Sequence, residues 1–153
     1  MRLELPDLAA MERLGGAIAA QLRAGDVVAL SGGLGAGKTT LARAIIAALG
    51  HEGEVPSPSF AIVEIYDPPL LRVPVVHADF YRLEHAEEAE NIGLDDYREG
   101  RALIAEWPEN AGGFGHEPEC LSVELQLVAD TSASGRIAIV QAGSDWLGRM
   151  SCL

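Results

Sequence analysis

The sequence predicts an α/β fold: one domain of 153 residues, with a mixed central sheet flanked by helices and a β-rich C-terminal part. Three observations carry that prediction. A short apolar run, Val27–Leu30, leads into a glycine-rich stretch and then into a strong helix former, Leu41–Leu49. Two further apolar runs end next to acids, Val73–His77 before Asp79 and Ala102–Ala105 before Glu106. Late in the chain, Leu121–Val128 and Arg136–Gln141 alternate apolar and polar residues, as an antiparallel pair near a sheet edge does.

In chain order, Leu8, Met11, Leu14, Ile18 and Leu22 recur at helical spacing behind Asp7, a residue suited to capping. Ala24-Gly25-Asp26 makes a turn, and Val27–Leu30 reads as a buried strand. The helix after the glycine stretch ends at Gly50. Val55-Pro56-Ser57-Pro58-Ser59 carries two prolines and is expected to be a loop. Phe60–Tyr66 and Val73–His77 are expected strands with a turn around Asp67-Pro68-Pro69 between them. The acidic segment Glu84–Asp96 predicts a solvated helix, then a turn at Gly93. Ala102–Ala105 is another buried strand, and Gly112-Gly113-Phe114-Gly115 a flexible loop. No internal repeat, low-complexity tract or linker divides the chain.

Composition narrows the class. At this length about two thirds of the unfolded surface is lost on folding, enough for a real core. Hydrophobic residues are 48% and charged residues 22%, the balance of an ordinary globular protein. No apolar run approaches the roughly 20 residues of a membrane helix. Met1–Asp7 has acids where a signal peptide has bases. Cys120 and Cys152 sit in no metal or redox motif and read as reduced thiols, so a cytoplasmic protein without a membrane segment is expected. The formal net charge of −12, with ten arginines scattered singly, argues against a direct grip on nucleic acid. Any action on a nucleic acid would pass through a partner protein. Lys38 is the only lysine. A lysine kept in an arginine-rich chain marks a place where a compact ammonium is needed and a planar guanidinium will not serve.

That place is Gly32-x-x-x-x-Gly37-Lys38-Thr39, the full P-loop pattern, set between a strand and a helix as the motif requires. The glycines allow successive N–H groups of Gly33, Leu34, Gly35, Ala36, Gly37, Lys38, Thr39 and Thr40 to point at phosphate oxygens. The following helix aims its positive end at the same anion. Lys38 is placed to reach the β and γ phosphates of ATP, and the Thr39 hydroxyl to ligate Mg²⁺.

Hydrolysis or transfer also needs acids near the metal. Asp79 and Glu106 stand at the ends of predicted strands, where α/β sheets build their sites. His77 reads as a packed or hydrogen-bonded structural residue. Trp107 could stack on a base or a partner, or belong to the core. Ser57 and Ser59 could form a switch loop that senses the γ-phosphate, or a plain rigid turn.

With these residues together the chain resembles the TsaE (YjeE) family, the small P-loop ATPase of bacterial tRNA threonylcarbamoyladenosine biosynthesis. The resemblance runs from about Ala24 to Trp107. It rests on Gly32–Thr40, on Val55-Pro56-Ser57-Pro58-Ser59-Phe60, on His77-Ala78-Asp79-Phe80-Tyr81-Arg82-Leu83 and on Glu106-Trp107-Pro108, with Ile92–Tyr97 also matching. It implies ATP in the loop, Mg²⁺ held by Thr39 and Glu106, and a catalytic or metal-supporting role for Asp79. It further implies a switch at Ser57 to Ser59 and Trp107 beside the nucleotide. Family members work with TsaB and TsaD, the latter transferring the threonylcarbamoyl group to tRNA, so tRNA would be met only through the complex. The ATPase step is thought to reset that complex between turnovers. Two positions depart from the family pattern: Gly33 stands where an acid is usual, and Ser59 where threonine is usual. Serine keeps the hydroxyl, whereas Gly33 removes a carboxylate beside the phosphates.

Two other functions fit a P-loop protein of this length. A small-molecule kinase would need an arginine-bearing lid, for which Arg98 and Arg101 are the only close pair in the second half. A nucleotide-gated binding module would change shape with ATP without useful turnover.

Overall fold

The order of the sheet follows from which strands can be buried on both faces. In the computed structural model, which describes residues 1–58, 62–69, 71–128 and 135–153, seven strands form one sheet in the order β1-β7-β6-β2-β5-β4-β3. The strands are β1 (Arg2–Leu5), β2 (Val27–Ser31), β3 (Val63–Tyr66), β4 (Val75–Asp79), β5 (Ala102–Glu106), β6 (Cys120–Leu127) and β7 (Arg136–Ala142). The inner strands β6, β2, β5 and β4 run parallel, and β3, β7 and β1 pair antiparallel outside them. The sheet is therefore mixed, as expected.

Both faces are covered, which explains the unbroken apolar runs of β2 and β5. Val28, Leu30 and Ile104 join the core under α1 (Leu8–Gln21) and α2 (Lys38–Ala48). Their neighbours Val27, Ala29, Leu103 and Ala105 point the other way, into a second core with Phe80, Phe114, Ala89 and Leu94. Those last two come from the short helices α3 (Glu87–Asn91) and α4 (Leu94–Arg98). Asp7 caps α1, its Oδ1 accepting from the Ala10 N–H at 2.8 Å. Gly15 lets α1 lie close to α2, because a Cβ there would come within 2.5 Å of Ala44 Cβ. No helix among the described residues is long and apolar enough to cross a membrane.

Several elements differ from the sequence expectation. The strand expected at Val73–His77 lies two residues later, because pairing with β5 carries it to Asp79, opposite Glu106. The strand expected from Phe60 begins at Val63; Phe60 and Ser59 lie outside the described residues. The acidic helix is one short turn and restarts after Gly93, whose φ of 81° opens α4. Residues 2–5, given no structure from sequence, form the strand that covers the open edge of β7.

The chain ends in a 3₁₀ segment, Ser144–Cys152, that also left no periodic signal. It is held by the Arg149 guanidinium, which donates to both oxygens of Asp26 at 2.7 and 3.0 Å and to the Gln21 carbonyl at 2.7 Å. The same guanidinium lies 3.9 Å from the ring centre of the fully buried Trp146. Cys120 is buried and Cys152 exposed, both as free thiols.

Candidate functional site

The glycine loop folds over the C-terminal end of β2, and its shape is fixed partly by β6. Gly32 has φ 135°, and a Cβ there would sit 2.4 Å from the Leu125 carbonyl oxygen, so no other residue fits. Gly37, at φ 106°, hands the chain to α2. The Lys38 side chain turns back into the loop. Its Nζ donates to the carbonyls of Gly32 at 2.8 Å and Gly33 at 2.7 Å, and lies 4.3 Å from the centre of the Trp107 ring. Burial pulls this ammonium below the ordinary lysine pKa, against the opposing pull of Glu106, Glu109 and Asp79.

A second cation also holds the loop. Arg136, at the start of β7, donates from Nε to the Ala36 carbonyl and from a terminal nitrogen to the Gly35 carbonyl, both at 3.0 Å. The loop carbonyls are thus divided between two cations, Gly32 and Gly33 on Lys38 and Gly35 and Ala36 on Arg136. Sequence reading missed Arg136, and no signal could have found it: it is one of ten scattered arginines, and the loop atoms it meets are backbone carbonyl oxygens.

The two acids come together because β4 and β5 are parallel and in register, with Asp79 opposite Glu106. Glu106 is 2% exposed. Its Oε1 accepts from the Thr39 hydroxyl at 2.6 Å and its Oε2 pairs with His77 Nε2 at 2.7 Å. Asp79 Oδ1 accepts from the Tyr81 N–H at 2.9 Å, an interaction that bends the chain at the strand end. His77 is fully buried, consistent with the structural reading, but its partner is a site acid. Trp107 has φ 54° and ψ 50°, a conformation worth about 1–3 kcal/mol of strain in a residue that is not glycine. That bend holds the indole beside Lys38 and 5.1 Å from the Tyr81 ring, while it also packs on the second core.

These residues surround one open cavity of about 480 Å³, within the range of small-molecule sites. Leu34, Gly35, Gly37, Lys38, Thr39 and Thr40 line it from the loop, with Ser57, Asp79, Glu106 and Trp107 opposite. Gly33 contributes its carbonyl to Lys38, and Ala36 is buried with its carbonyl on Arg136. Tyr81, Arg82 and Arg136 also line the cavity, and none of the three had been given a site role. Ser59 lies outside the described residues. Arg98 is bound to Glu117 and Arg101 to Asp67, and neither lines the cavity, which removes the arginine pair a kinase lid would have used.

Among the described residues no group of three or more His, Cys, Asp and Glu side chains is placed to hold a metal ion. The Thr39 hydroxyl and Glu106 carboxylate form a smaller set of hard oxygen donors, with Asp79 on the next strand. Mg²⁺ bound with a nucleotide takes few protein ligands and fills its shell with phosphate oxygens and water, so this donor set fits that ion.

A glycine loop feeding a lysine-bearing helix, opposite acids on two adjoining parallel strand ends, defines the class as phosphate-loop α/β proteins. The family described as "Threonylcarbamoyl adenosine biosynthesis protein TsaE" matches residues 5–136. A Streptomyces coelicolor protein named tRNA threonylcarbamoyladenosine biosynthesis protein TsaE is 38% identical over 143 residues, 89% of this chain and 93% of that protein. Proteins of the same name from Haemophilus influenzae and Synechocystis are 35% and 39% identical, covering 72% and 71% of this chain and 75% and 71% of theirs. The chain belongs to the TsaE family. Its fold also resembles the crystal structure of YdiB from Bacillus, at a TM-score of 0.78 and 24% identity, over 99% of this chain and 91% of that one.

Proposed function

We propose that this chain binds ATP with Mg²⁺ in the loop of residues 32–39 and hydrolyses it, in the cytoplasm, as the ATPase subunit that works with TsaB and TsaD in threonylcarbamoyladenosine modification of tRNA. The observation that carries the reading is the Thr39–Glu106 hydrogen bond of 2.6 Å, which joins the end of the phosphate loop to the acid of β5. The loop N–H groups and Lys38 bind the triphosphate. Lys38 exchanges the Gly32 and Gly33 carbonyls for phosphate oxygens as the anion arrives. Thr39 and Glu106 are the residues that would hold Mg²⁺. When bound, the ion neutralises charge on the β and γ phosphates. Asp79 orients the attacking water or supports the metal through water, and Trp107 screens the cavity beside Lys38. Ser57 lines the same cavity, and in this reading it belongs to the switch loop that senses the γ-phosphate. With a net charge of −12, the protein meets tRNA through its protein partners.

The test is ATP hydrolysis by the purified protein, alone and with TsaB and TsaD, with Lys38→Ala as control. Slow turnover that the pair stimulates and the variant lacks supports the proposal. ATP bound without stimulation refutes the partner assignment. Full tRNA modification with a non-hydrolysable ATP analogue would favour the nucleotide-gated module.

A further inference from the structure

His77 is fully buried in the middle of β4, yet only one of its ring nitrogens has a use. Nε2 meets Glu106 Oε2 at 2.7 Å, whereas Nδ1 has no hydrogen-bond partner among the described residues. An ionised carboxylate only accepts, so the tautomer that fits carries its proton on Nε2. A buried ring kept for packing alone would be better replaced by an apolar residue, since the bare Nδ1 loses water and gains nothing. The bond to Glu106 is what offsets that loss. The register explains the geometry. His77 pairs with Ile104 and Asp79 with Glu106, which sets His77 diagonally behind Glu106 on the same face of the sheet. The carboxylate is thus held at both ends, by His77 on Oε2 and by the Thr39 hydroxyl on Oε1.

We propose that His77 is a positioning residue: it fixes the Glu106 carboxylate so that the metal sees one oxygen, Oε1, beside the Thr39 hydroxyl. This inference rests on the Mg²⁺–ATP reading of the site. Engaging Oε2 also prevents a two-oxygen grip on the ion. A single-oxygen contact suits the small octahedral Mg²⁺, while Ca²⁺ is readily held by both oxygens of a carboxylate. His77 therefore contributes to the choice of ion as well as to its affinity.

The test compares His77→Gln, whose amide nitrogen reaches the Nε2 position, with His77→Asn, whose amide reaches only the Nδ1 position. Calorimetric binding of a non-hydrolysable ATP analogue is measured with EDTA, with Mg²⁺ and with Ca²⁺. Both variants should bind the metal-free analogue as the wild type does. His77→Asn should lose roughly 10- to 100-fold of the gain in affinity that Mg²⁺ gives, the usual effect of losing the partner of a metal ligand. Its Mg²⁺-to-Ca²⁺ ratio should fall with it, and His77→Gln should keep both. A full Mg²⁺ gain in His77→Asn, or a loss as great in His77→Gln, overturns the proposal. Should His77→Asn not fold, His77→Gln decides: a retained gain supports the role and a lost gain overturns it. A wild type that gains nothing from Mg²⁺ instead refutes the metal site itself, and the role of His77 falls with it.

Discussion

Replacing Thr39 by valine removes one hydroxyl and keeps the outline of the side chain. The hydroxyl donates to Glu106 Oε1 at 2.6 Å, and that carboxylate is 2% exposed. A hydrogen bond to a charged acceptor contributes about 1.5–3 kcal/mol. His77 still serves the other oxygen, at 2.7 Å, so the carboxylate is not orphaned and the lower end applies. Valine and threonine have similar helix propensities, which leaves the first turn of α2 undisturbed. At about 2–4 °C per kcal/mol for a domain of this size, the nucleotide-free variant should melt roughly 3–6 °C below the wild type. Scanning calorimetry reads this directly, with Thr39→Ser expected at the wild-type Tm. The ligand arm is separate. ATP with Mg²⁺ should raise the wild-type Tm further than ATP with EDTA, because the tighter ligand shifts the equilibrium more. In Thr39→Val the two shifts should coincide. A variant that melts with the wild type and keeps the extra shift from Mg²⁺ refutes both roles given to this hydroxyl.

Arg136→Gln should weaken ATP binding about tenfold, near 1.4 kcal/mol, through loss of its two charge-assisted bonds to loop carbonyls; an unchanged Kd by calorimetry would show that the loop holds its shape without it. Gly33→Asp should leave the Tm unchanged, since a Cβ at Gly33 meets no atom within 4 Å and its backbone is outside the left-handed region. Any change in ATP turnover then reports the carboxylate alone, and a drop in Tm would show that the loop rejects the side chain. Arg149→Leu leaves Asp26, 4% exposed, without its ion-pair partner and should destabilise by about 3–5 kcal/mol in denaturant unfolding. The double variant Asp26→Leu/Arg149→Leu should recover much of that loss, and a single variant within about 1 kcal/mol of the wild type would refute the latch.

The sequence made most of this site legible because its chemistry is local. The loop and the start of α2 follow from consecutive residues, Gly32 to Thr39, and the acids Asp79 and Glu106 follow from where apolar runs stop. It could not show that β4 and β5 are neighbours in register, although that alone sets Asp79 against Glu106. Nor could it show what His77 touches, because an apolar strand context fits a packed histidine equally well. The edge strand β1 was illegible for a related reason: four residues, only Leu5 among them buried, carry no periodic pattern of their own. Pairing with β7 creates the element. The terminal 3₁₀ segment depends likewise on Arg149 finding Asp26 across 123 residues.

The β-rich end, past the motifs from which the sequence resemblance was read, is nevertheless part of the candidate site, and the family match extends through it to residue 136. β6 lies beside β2 in parallel, and its Leu125 carbonyl oxygen occupies the space that a side chain at Gly32 would need. β7 supplies Arg136 to the carbonyls of Gly35 and Ala36 in the same loop. The three contact atoms on β6 and the loop are all backbone carbonyl oxygens, which any residue type provides. Such a floor constrains the path of the chain far more than the identity of its residues. A glycine motif can therefore be unmistakable in sequence while the strands that hold it open leave almost no signature. It also follows that a shift in the β6–β7 hairpin would reach the loop carbonyls through Arg136, with no side chain of the loop changed.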